Sequence, residues 1–219
     1  FIEKFNLKVK NGEKIAIVGR TGAGKTTIIN MILRFYDIKN GEILIDGVNI
    51  KNIDLKCLRR NIGIVLQDTK LFTGTVSENI RYGMNNISNE EIKRVARLAN
   101  ADSFINKLPQ KYDTIINNDV LSSGEIQLIT IARAMLRNPK ILIRDEATSN
   151  VDLVTENKIQ NSMLELMKNR TTFIIAHRLS TIKNADRIIY LENGNIMEQG
   201  KHKELMDKKG KYYQMYINQ

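Results

Sequence analysis

Residues 19–26 constrain the fold of this 219-residue chain more than any other segment. They read Gly-Arg-Thr-Gly-Ala-Gly-Lys-Thr and match the pattern G-x-x-x-x-G-K-[S/T] at every fixed position. The apolar run 15–18 precedes them, and apolar residues at helical spacing follow over 25–35. This order of strand, glycine-rich loop and helix predicts an α/β core with a phosphate site, because backbone N–H groups and a helix N-terminus converge on the loop. The alternative, a chance glycine-rich turn, does not account for the flanking strand and helix.

Apolar periodicity in the rest of the chain predicts strands alternating with helices, and therefore a largely parallel sheet with helices on both faces. We predict two strands within 7–18, on either side of an Asn11-Gly12 turn, and a β-rich stretch over 41–66 with an Asp46-Gly47 turn. The other predicted elements are helices over about 25–35, 123–136 and 154–168, and strands over 141–143, 172–176, 187–191 and 196–198. Ser88 and Glu91 form a capping-box pattern that predicts the start of a further helix, and Asn193-Gly194 predicts a hairpin turn between the last two strands. We interpret residues 1–219 as a single domain, with a helical subdomain of about 78–137 inserted in its core.

The composition argues against a mainly disordered chain, a disulfide-stabilised chain and a membrane-spanning chain. Hydrophobic residues make up 42% of the chain, which is enough for a sizeable core, and the single cysteine, Cys57, cannot form an internal disulfide. No apolar run approaches the roughly 20 residues that span a bilayer. The net charge of +10 fits a nucleic acid, a membrane surface or an anionic small molecule, but the basic residues are spread along the chain as on a solvated surface.

A pair of carboxylates, Asp145 and Glu146, directly follows the apolar strand predicted at 141–143. Phosphoryl transfer needs an acidic group at such a strand end, to hold Mg²⁺ and to orient water. We therefore expect Asp145 to be a direct or indirect partner of Mg²⁺ and Glu146 to polarise the attacking water. Taken alone, the pair is also compatible with a solvated turn, and the glycine-rich loop favours the site.

Five motifs in order resemble those of the ATP-binding cassette ATPases and cover nearly the whole chain. They are the phosphate loop 19–26, Gln67, the signature Leu121-Ser122-Ser123-Gly124-Glu125, the run from Asp145 and Glu146 into a D-loop with Ser149 and Asp152, and His177. Residues 63–68 and 71–80 are similar to the exporter branch, of the multidrug or lipid exporter type, in which this domain follows membrane helices. The resemblance implies a P-loop NTPase core with a mostly parallel sheet, an antiparallel β subdomain and a helical signature subdomain.

The resemblance also implies the roles of these residues. ATP would bind to Gly19, Arg20, Thr21, Gly22, Ala23, Gly24, Lys25, Thr26 and Thr27; Mg²⁺ to Thr26, Gln67 and Asp145; and catalysis would rest on Lys25, Gln67, Glu146 and His177. Two such domains would stack head to tail, so that Ser122 and the amides of Ser123 and Gly124 complete the site of the partner. The expected partners are a second ATPase domain, identical or different, and a transmembrane domain encoded upstream, with no nucleic acid. The expected location is the cytoplasmic face of a membrane, within an integral membrane transporter.

The chain departs from the family pattern at several points. Ser123 stands where glycine is usual, Glu125 replaces glutamine, and residues 114–120 are shorter than the usual loop before the signature. The aromatic that usually stacks on adenine would fall before Phe1. Arg144 occupies a strand position that is normally apolar, so we expect it to pair with an acidic side chain or to reach solvent along its aliphatic stem.

Two other functions are alternatives to the interpretation as an exporter. A cassette ATPase that acts on nucleic acid or ribosomes agrees with the charge, but its chromosomal members carry a long coiled coil for which this chain has no room. A regulatory domain without turnover would be expected to lack Glu146 or His177, and both are present. The second histidine, His202, is expected to be solvated.

Overall fold

The computed structural model of the chain describes residues 2, 5–66, 70–117, 119–145, 151–176 and 179–218. The strands are β1 (Lys14–Val18), β2 (Leu44–Ile45), β3 (Val48–Asn49), β4 (Ile62–Val65), β5 (Gly74–Thr75), β6 (Ile115–Ile116), β7 (Ile141–Asp145), β8 (Thr171–Ile175), β9 (Arg187–Glu192) and β10 (Asn195–Gly200). The helices are α1 (Lys25–Ile32), α2 (Leu55–Asn61), α3 (Val76–Arg81), α4 (Asn89–Leu98), α5 (Asp102–Ile105), α6 (Ser123–Arg137), α7 (Leu153–Met167), α8 (Leu179–Lys183), α9 (His202–Asp207) and α10 (Lys211–Ile217), with short 3₁₀ turns at Ile50–Asn52 and Lys111–Asp113. The chain divides into two compact units.

The first unit comprises Phe1–Ile62, Lys140–Ala147 and Arg170–Gln219, and it is built on the main sheet. The strand order is β10-β9-β1-β8-β7-β4, with β4 starting at the last residue of the first segment. Strand β1 pairs in parallel with β8 and β9, β7 pairs in parallel with β8, and β10 runs antiparallel to β9. Three residues of β1 (Ile15, Ala16, Ile17) have no exposed surface, as expected for a strand covered on both faces. The predicted mostly parallel sheet is confirmed.

The predicted β-rich stretch 41–66 is only partly correct. It contains the short antiparallel hairpin β2–β3, whose turn residues Asp46 and Gly47 have the positive φ angles of the predicted Asp-Gly turn. It also contains α2, which the periodicity of the sequence does not reveal, because Leu58 is its one buried residue. The helix begins where the Asp54 carboxylate accepts the Cys57 N–H at 2.9 Å.

The first of the two strands predicted within 7–18 does not form. Two of its backbone groups bond side chains instead: the Lys10 N–H donates to Glu13 at 2.8 Å, and the Lys8 carbonyl accepts from the Arg187 guanidinium at 2.6 Å. Alternation alone does not make a strand, since a strand also needs a neighbour whose backbone can complete the ladder. The helix predicted over 25–35 ends earlier, at Ile32, because Arg34 takes a left-handed φ of 53°.

The second unit comprises Gly63–Pro139 and Thr148–Asn169. It includes the segment 78–137 predicted as a helical subdomain and extends beyond it at both ends. Helix α6 is its central element and packs against α3, α4 and α7. Capping boxes open α3 (Thr75 with Glu78) and α4 (Ser88 with Glu91), so the helix start predicted at Ser88 is confirmed.

Two further expectations, on membrane-spanning segments and on Arg144, can be compared with the structure. Among the described residues, no helix is both long and apolar enough to cross a membrane. Arg144 lies within β7 and is only 6% exposed, so of its two expected outcomes the one in which it reaches solvent is wrong, and pairing with an acidic side chain stays a prediction. Arg144 is not without an interaction partner.

Candidate functional site

The phosphate loop, residues 19–26, leaves the carboxyl end of β1 and enters α1 in the first unit. It turns where the Ala23 N–H donates to the Arg20 carbonyl at 3.1 Å. Gly22 and Gly24 have φ angles of 81° and 103°, which side-chain-bearing residues rarely adopt. The result is a tight backbone turn placed directly before the positive end of a helix dipole, as an anion-binding loop requires.

Lys25, the first residue of α1, is folded onto the loop in the structure. Its ammonium donates to the carbonyl oxygens of Gly19 at 2.7 Å and Arg20 at 3.1 Å, and the residue is 8% exposed. Burial lowers the pKa of this ammonium, and the negative charge of Asp145 opposes the shift. The loop thus holds a cation on its own carbonyl groups, where the charge is available for a phosphate.

Strand register brings Asp145 to the same edge of the sheet as the phosphate loop. Asp145 pairs with Ile175 of β8, and Ile175 pairs with Ile17 of β1, two residues before Gly19. Carboxyl ends of parallel strands share one edge, and ligands of such sheets bind there. The register and the effect of its charge on Lys25 therefore both put Asp145 near the phosphate loop, where the predicted Mg²⁺ partner is needed.

The donors at this edge fit a magnesium ion held largely by phosphate and water. Thr26 is exposed and offers a hydroxyl, and Asp145 is half-buried and offers a carboxylate. Within the described ranges, no group of three or more His, Cys, Asp or Glu side chains could hold a metal. Few protein ligands, all of them oxygen, are the usual arrangement for Mg²⁺ beside a nucleotide and not for zinc.

The loop between β9 and β10 contacts the phosphate loop, and nothing in the sequence indicates this contact. The Gly194 N–H donates to the Ala23 carbonyl at 2.9 Å. A Cβ atom added to Gly19 would lie 2.4 Å from the carbonyl oxygen of Leu191. The sequence predicts the Asn193-Gly194 turn itself, but the contact joins residues far apart in the chain.

The signature residues lie at the start of α6, in the second unit. Ser122 is the N-cap: its hydroxyl accepts the Glu125 N–H at 3.3 Å, and the Glu125 carboxylate accepts the Ser122 N–H and hydroxyl, both at 2.9 Å. Leu121 and Gly124 are buried, whereas Ser122 and Ser123 are exposed. The glutamate that replaces the usual glutamine therefore completes a capping box, the role either residue can fill at this position.

Asp152 of the predicted D-loop caps α7. Its carboxylate accepts the N–H groups of Val154 at 3.1 Å and Thr155 at 3.0 Å. Hydrogen bonds from Thr155, first of all the backbone one, lower the pKa of this carboxyl group. The remaining predicted site residues, Gln67, Glu146, Ser149 and His177, lie outside the described residues.

A polar and aromatic cluster in the second unit was not predicted. Asn79 is 2% exposed and bonds both the N–H and the carbonyl of Phe72, at 2.9 and 2.8 Å. The exposed rings of Phe72 and Tyr82 stack with centroids 4.2 Å apart, and the Arg133 guanidinium lies over both. The only signal in the sequence is the capping pair Thr75 and Glu78, which places Asn79 on α3.

His202 is also not the solvated residue that the sequence predicts. Its Nδ1 lies 2.7 Å from the hydroxyl of Tyr212, whose side chain is fully buried, and its ring contacts Tyr216. Burial, and next the positive charge of Lys183, lower the pKa of His202. The neutral imidazole is therefore the form that packs between these rings.

Comparison with known proteins gives one consistent result. The family model described as ABC transporter matches residues 2–149. A fatty acid ABC transporter ATP-binding/permease protein of Mycobacterium bovis is 52% identical over 216 residues, which are 98% of this chain and 34% of that protein. An ATP-dependent lipid A-core flippase of Syntrophus aciditrophicus is 51% identical over 217 residues, with 98% and 36% covered. A solved bacterial Atm1-family ABC exporter with ATP bound superposes with a TM-score of 0.91 at 42% identity, covering 99% of this chain and 38% of that one. This chain thus spans about a third of the length of these curated relatives.

Proposed function

This chain belongs to the ABC transporter family, and we propose that it is the ATP-hydrolysing domain of an exporter. We also propose that residues 1–219 form one domain. The observation that carries the proposal is the arrangement of the phosphate loop. The Lys25 ammonium donates to a carbonyl oxygen of the loop, and strand register brings Asp145 to the same edge of the sheet. The alternative, an ATPase acting on nucleic acid or ribosomes, is not supported, since the relatives include a transporter, a flippase and an exporter.

In the proposed reaction, water attacks the γ-phosphorus of ATP in line and the bridging oxygen leaves with ADP. Lys25 exchanges its bonds to the Gly19 and Arg20 carbonyls for bonds to the β- and γ-phosphate oxygens, so its charge is used where negative charge develops. Thr26 and Asp145 would hold Mg²⁺, which would supply positive charge to neutralise the same oxygens. From the resemblance, Glu146 polarises the water, His177 steadies it against the γ-phosphate, and Gln67 completes the metal site.

The signature would act on the ATP of a second domain. The N-terminus of α6 carries the backbone N–H groups of Ser123 and Gly124 and the Ser122 hydroxyl, which together suit a γ-phosphate presented from outside. Because the ligand would link two domains, closure would depend on the triphosphate. This chain would lie at the cytoplasmic face of a membrane, next to a transmembrane domain. That domain would convert closure and reopening of the two ATPase domains into transport.

Nucleotide-dependent dimerisation tests this proposal. In Glu146→Gln the water-polarising charge is removed while Lys25, Thr26 and Asp145 remain, so ATP should bind and persist. We expect size-exclusion chromatography of this variant to show a dimer with MgATP and a monomer with MgADP or without nucleotide. The double variant that adds Lys25→Ala should stay monomeric, and it serves as the control for phosphate recognition.

A Glu146→Gln variant that remains monomeric at millimolar ATP would contradict the two-domain site. Phosphate release by the unmodified chain is measured in parallel. Release that does not fall in Lys25→Ala would contradict the assignment of the phosphate loop.

A further inference from the structure

The hairpin formed by β9 and β10 meets the phosphate loop at two points. The N–H of Gly194, in the hairpin turn, donates to the Ala23 carbonyl at 2.9 Å. The carbonyl of Leu191, near the end of β9, approaches Gly19 so closely that an added Cβ would lie 2.4 Å from it. The hydrogen bond lies at Ala23, in the second half of the loop, and the close approach lies at Gly19, its first residue.

The contact at Ala23 fixes the direction of a neighbouring donor. In a trans peptide the C=O of one residue and the N–H of the next lie in one plane and point in opposite directions. Since the Ala23 carbonyl points toward the hairpin turn, the Gly24 N–H points away from it. Among the described residues this N–H has no hydrogen-bond acceptor, although Gly24 is buried. An N–H group that lacks an acceptor is available to donate to a phosphate oxygen.

We infer that the Asn193-Gly194 turn is a positioning element for the nucleotide: its Gly194 N–H orients the Ala23–Gly24 peptide so that the Gly24 N–H faces the phosphates. The inference rests on the proposed function for the identity of the ligand. Asn193 and Gly194 have φ angles of 48° and 75°, and the two-residue turn that these angles make is what presents the N–H.

The C-terminal helix holds the other side of the same hairpin. Lys211, the first residue of α10, forms an ion pair with Glu192, the residue before the turn. Glu198 of β10 accepts the backbone N–H groups of Lys211 at 2.7 Å and Tyr212 at 3.1 Å. The helix therefore fixes both strands of the hairpin, and the position of the turn does not depend on the phosphate loop alone.

A matched pair of turn variants tests the inference. Gly194→Pro removes the N–H and the positive φ, and Gly47→Pro does the same in the β2–β3 turn, where Asp46 and Gly47 have φ angles of 49° and 81°. A Cβ added at Gly47 meets nothing within 4 Å, so this turn serves as the control. We expect Gly194→Pro to bind MgADP and MgATP at least about tenfold more weakly than Gly47→Pro, because a hydrogen bond to a charged oxygen contributes about 1.5 to 3 kcal/mol. Affinities are measured by calorimetry and melting temperatures without nucleotide.

A replacement that keeps the turn decides the outcome if Gly194→Pro does not fold. Gly194→glycolate, made by ligation of a synthetic C-terminal peptide, exchanges the N–H for an ester oxygen and adds no atoms. We expect its MgADP affinity to fall about three- to tenfold, the range for one neutral hydrogen bond. An affinity within twofold of the unmodified chain overturns the inference, as does equal ADP binding by the two proline variants. Failure of the unmodified chain to bind ADP or ATP would instead contradict the proposed function.

Discussion

Gly124 of the signature should tolerate no side chain, because α6 approaches α7 too closely there. A Cβ atom at this position would lie 2.4 Å from the Thr155 Cγ2 and 3.1 Å from the Val151 Cγ1. Real Cβ atoms do not come that close, so Gly124→Ala must push the start of α7 away. The substitution leaves the capping box of Ser122 and Glu125 intact, which separates packing from capping.

The size of the effect follows from two opposing contributions. Overpacking by one methyl group in a well-packed region costs about 1 to 3 kcal/mol. Alanine is favoured over glycine inside a helix by about 0.5 to 1 kcal/mol, and less in the first turn where Gly124 lies. The net loss of unfolding free energy is about 1 to 2 kcal/mol, which for a chain of this size lowers the melting temperature by roughly 2 to 8 °C.

A double-mutant cycle with Thr155→Ser gives the decisive measurement. Serine keeps the hydroxyl that bonds Asp152 but lacks the Cγ2 atom, so the closest contact in the combined variant becomes 3.1 Å, to Val151. We expect Gly124→Ala to cost about 1 kcal/mol less in the Thr155→Ser background than alone. Thermal melts without nucleotide measure all four proteins. Additive effects, or a Gly124→Ala variant as stable as the unmodified chain, would refute this account of why glycine is needed.

Two further predictions concern charges. Glu125→Gln should change the free energy of unfolding by less than about 1 kcal/mol, since glutamine also completes the capping box. Because the substitution removes a negative charge from the N-terminus of α6, it should tighten the ATP-dependent dimer of Glu146→Gln roughly two- to fivefold. Sedimentation analysis measures the dimer, and a weaker dimer would contradict the prediction. For His202, burial and Lys183 lower the pKa in the folded chain, so the unfolded chain binds more protons as pH falls below its ordinary value of about 6.5. The stability from neutral His202 is therefore present above that pH and lost below it. Between pH 7.5 and pH 5.5 the melting temperature should fall less for His202→Gln than for the unmodified chain. An equal fall in the two proteins would contradict the assignment.

Sequence patterns predicted the features that short stretches of chain determine. The phosphate loop needs glycines, a lysine and a flanking strand and helix, all within residues 15–35, and the start of α4 needs only Ser88 and Glu91. In each case the residues that make the hydrogen bonds are also the residues that form the pattern. The mostly parallel sheet followed from the alternation of such segments.

The features that sequence reasoning missed depend on distant partners. The segment around Lys8 alternates like a strand, but its backbone bonds Arg187 instead of a neighbouring strand. Arg144 looked able to reach solvent, and only the packing of the sheet shows that it is buried. The contact between Gly194 and Ala23 links two motifs that were each recognised, yet nothing in either motif specifies the other.

The same distinction explains why the departures in the signature are tolerable while the phosphate loop follows its pattern at every fixed position. Ser123 is the first residue of α6, exposed and without a positive φ, so the usual glycine is not required there. Glu125 needs only to accept hydrogen bonds from Ser122, two bonds within one helical turn. Gly19, in contrast, lies against the Leu191 carbonyl from another strand, where any added atom collides with backbone. A locally capped helix start accepts substitutions that preserve the cap, whereas Gly19, which lies against distant backbone, accepts none that add volume. This is the physical reason to expect variation in the signature and not at Gly19.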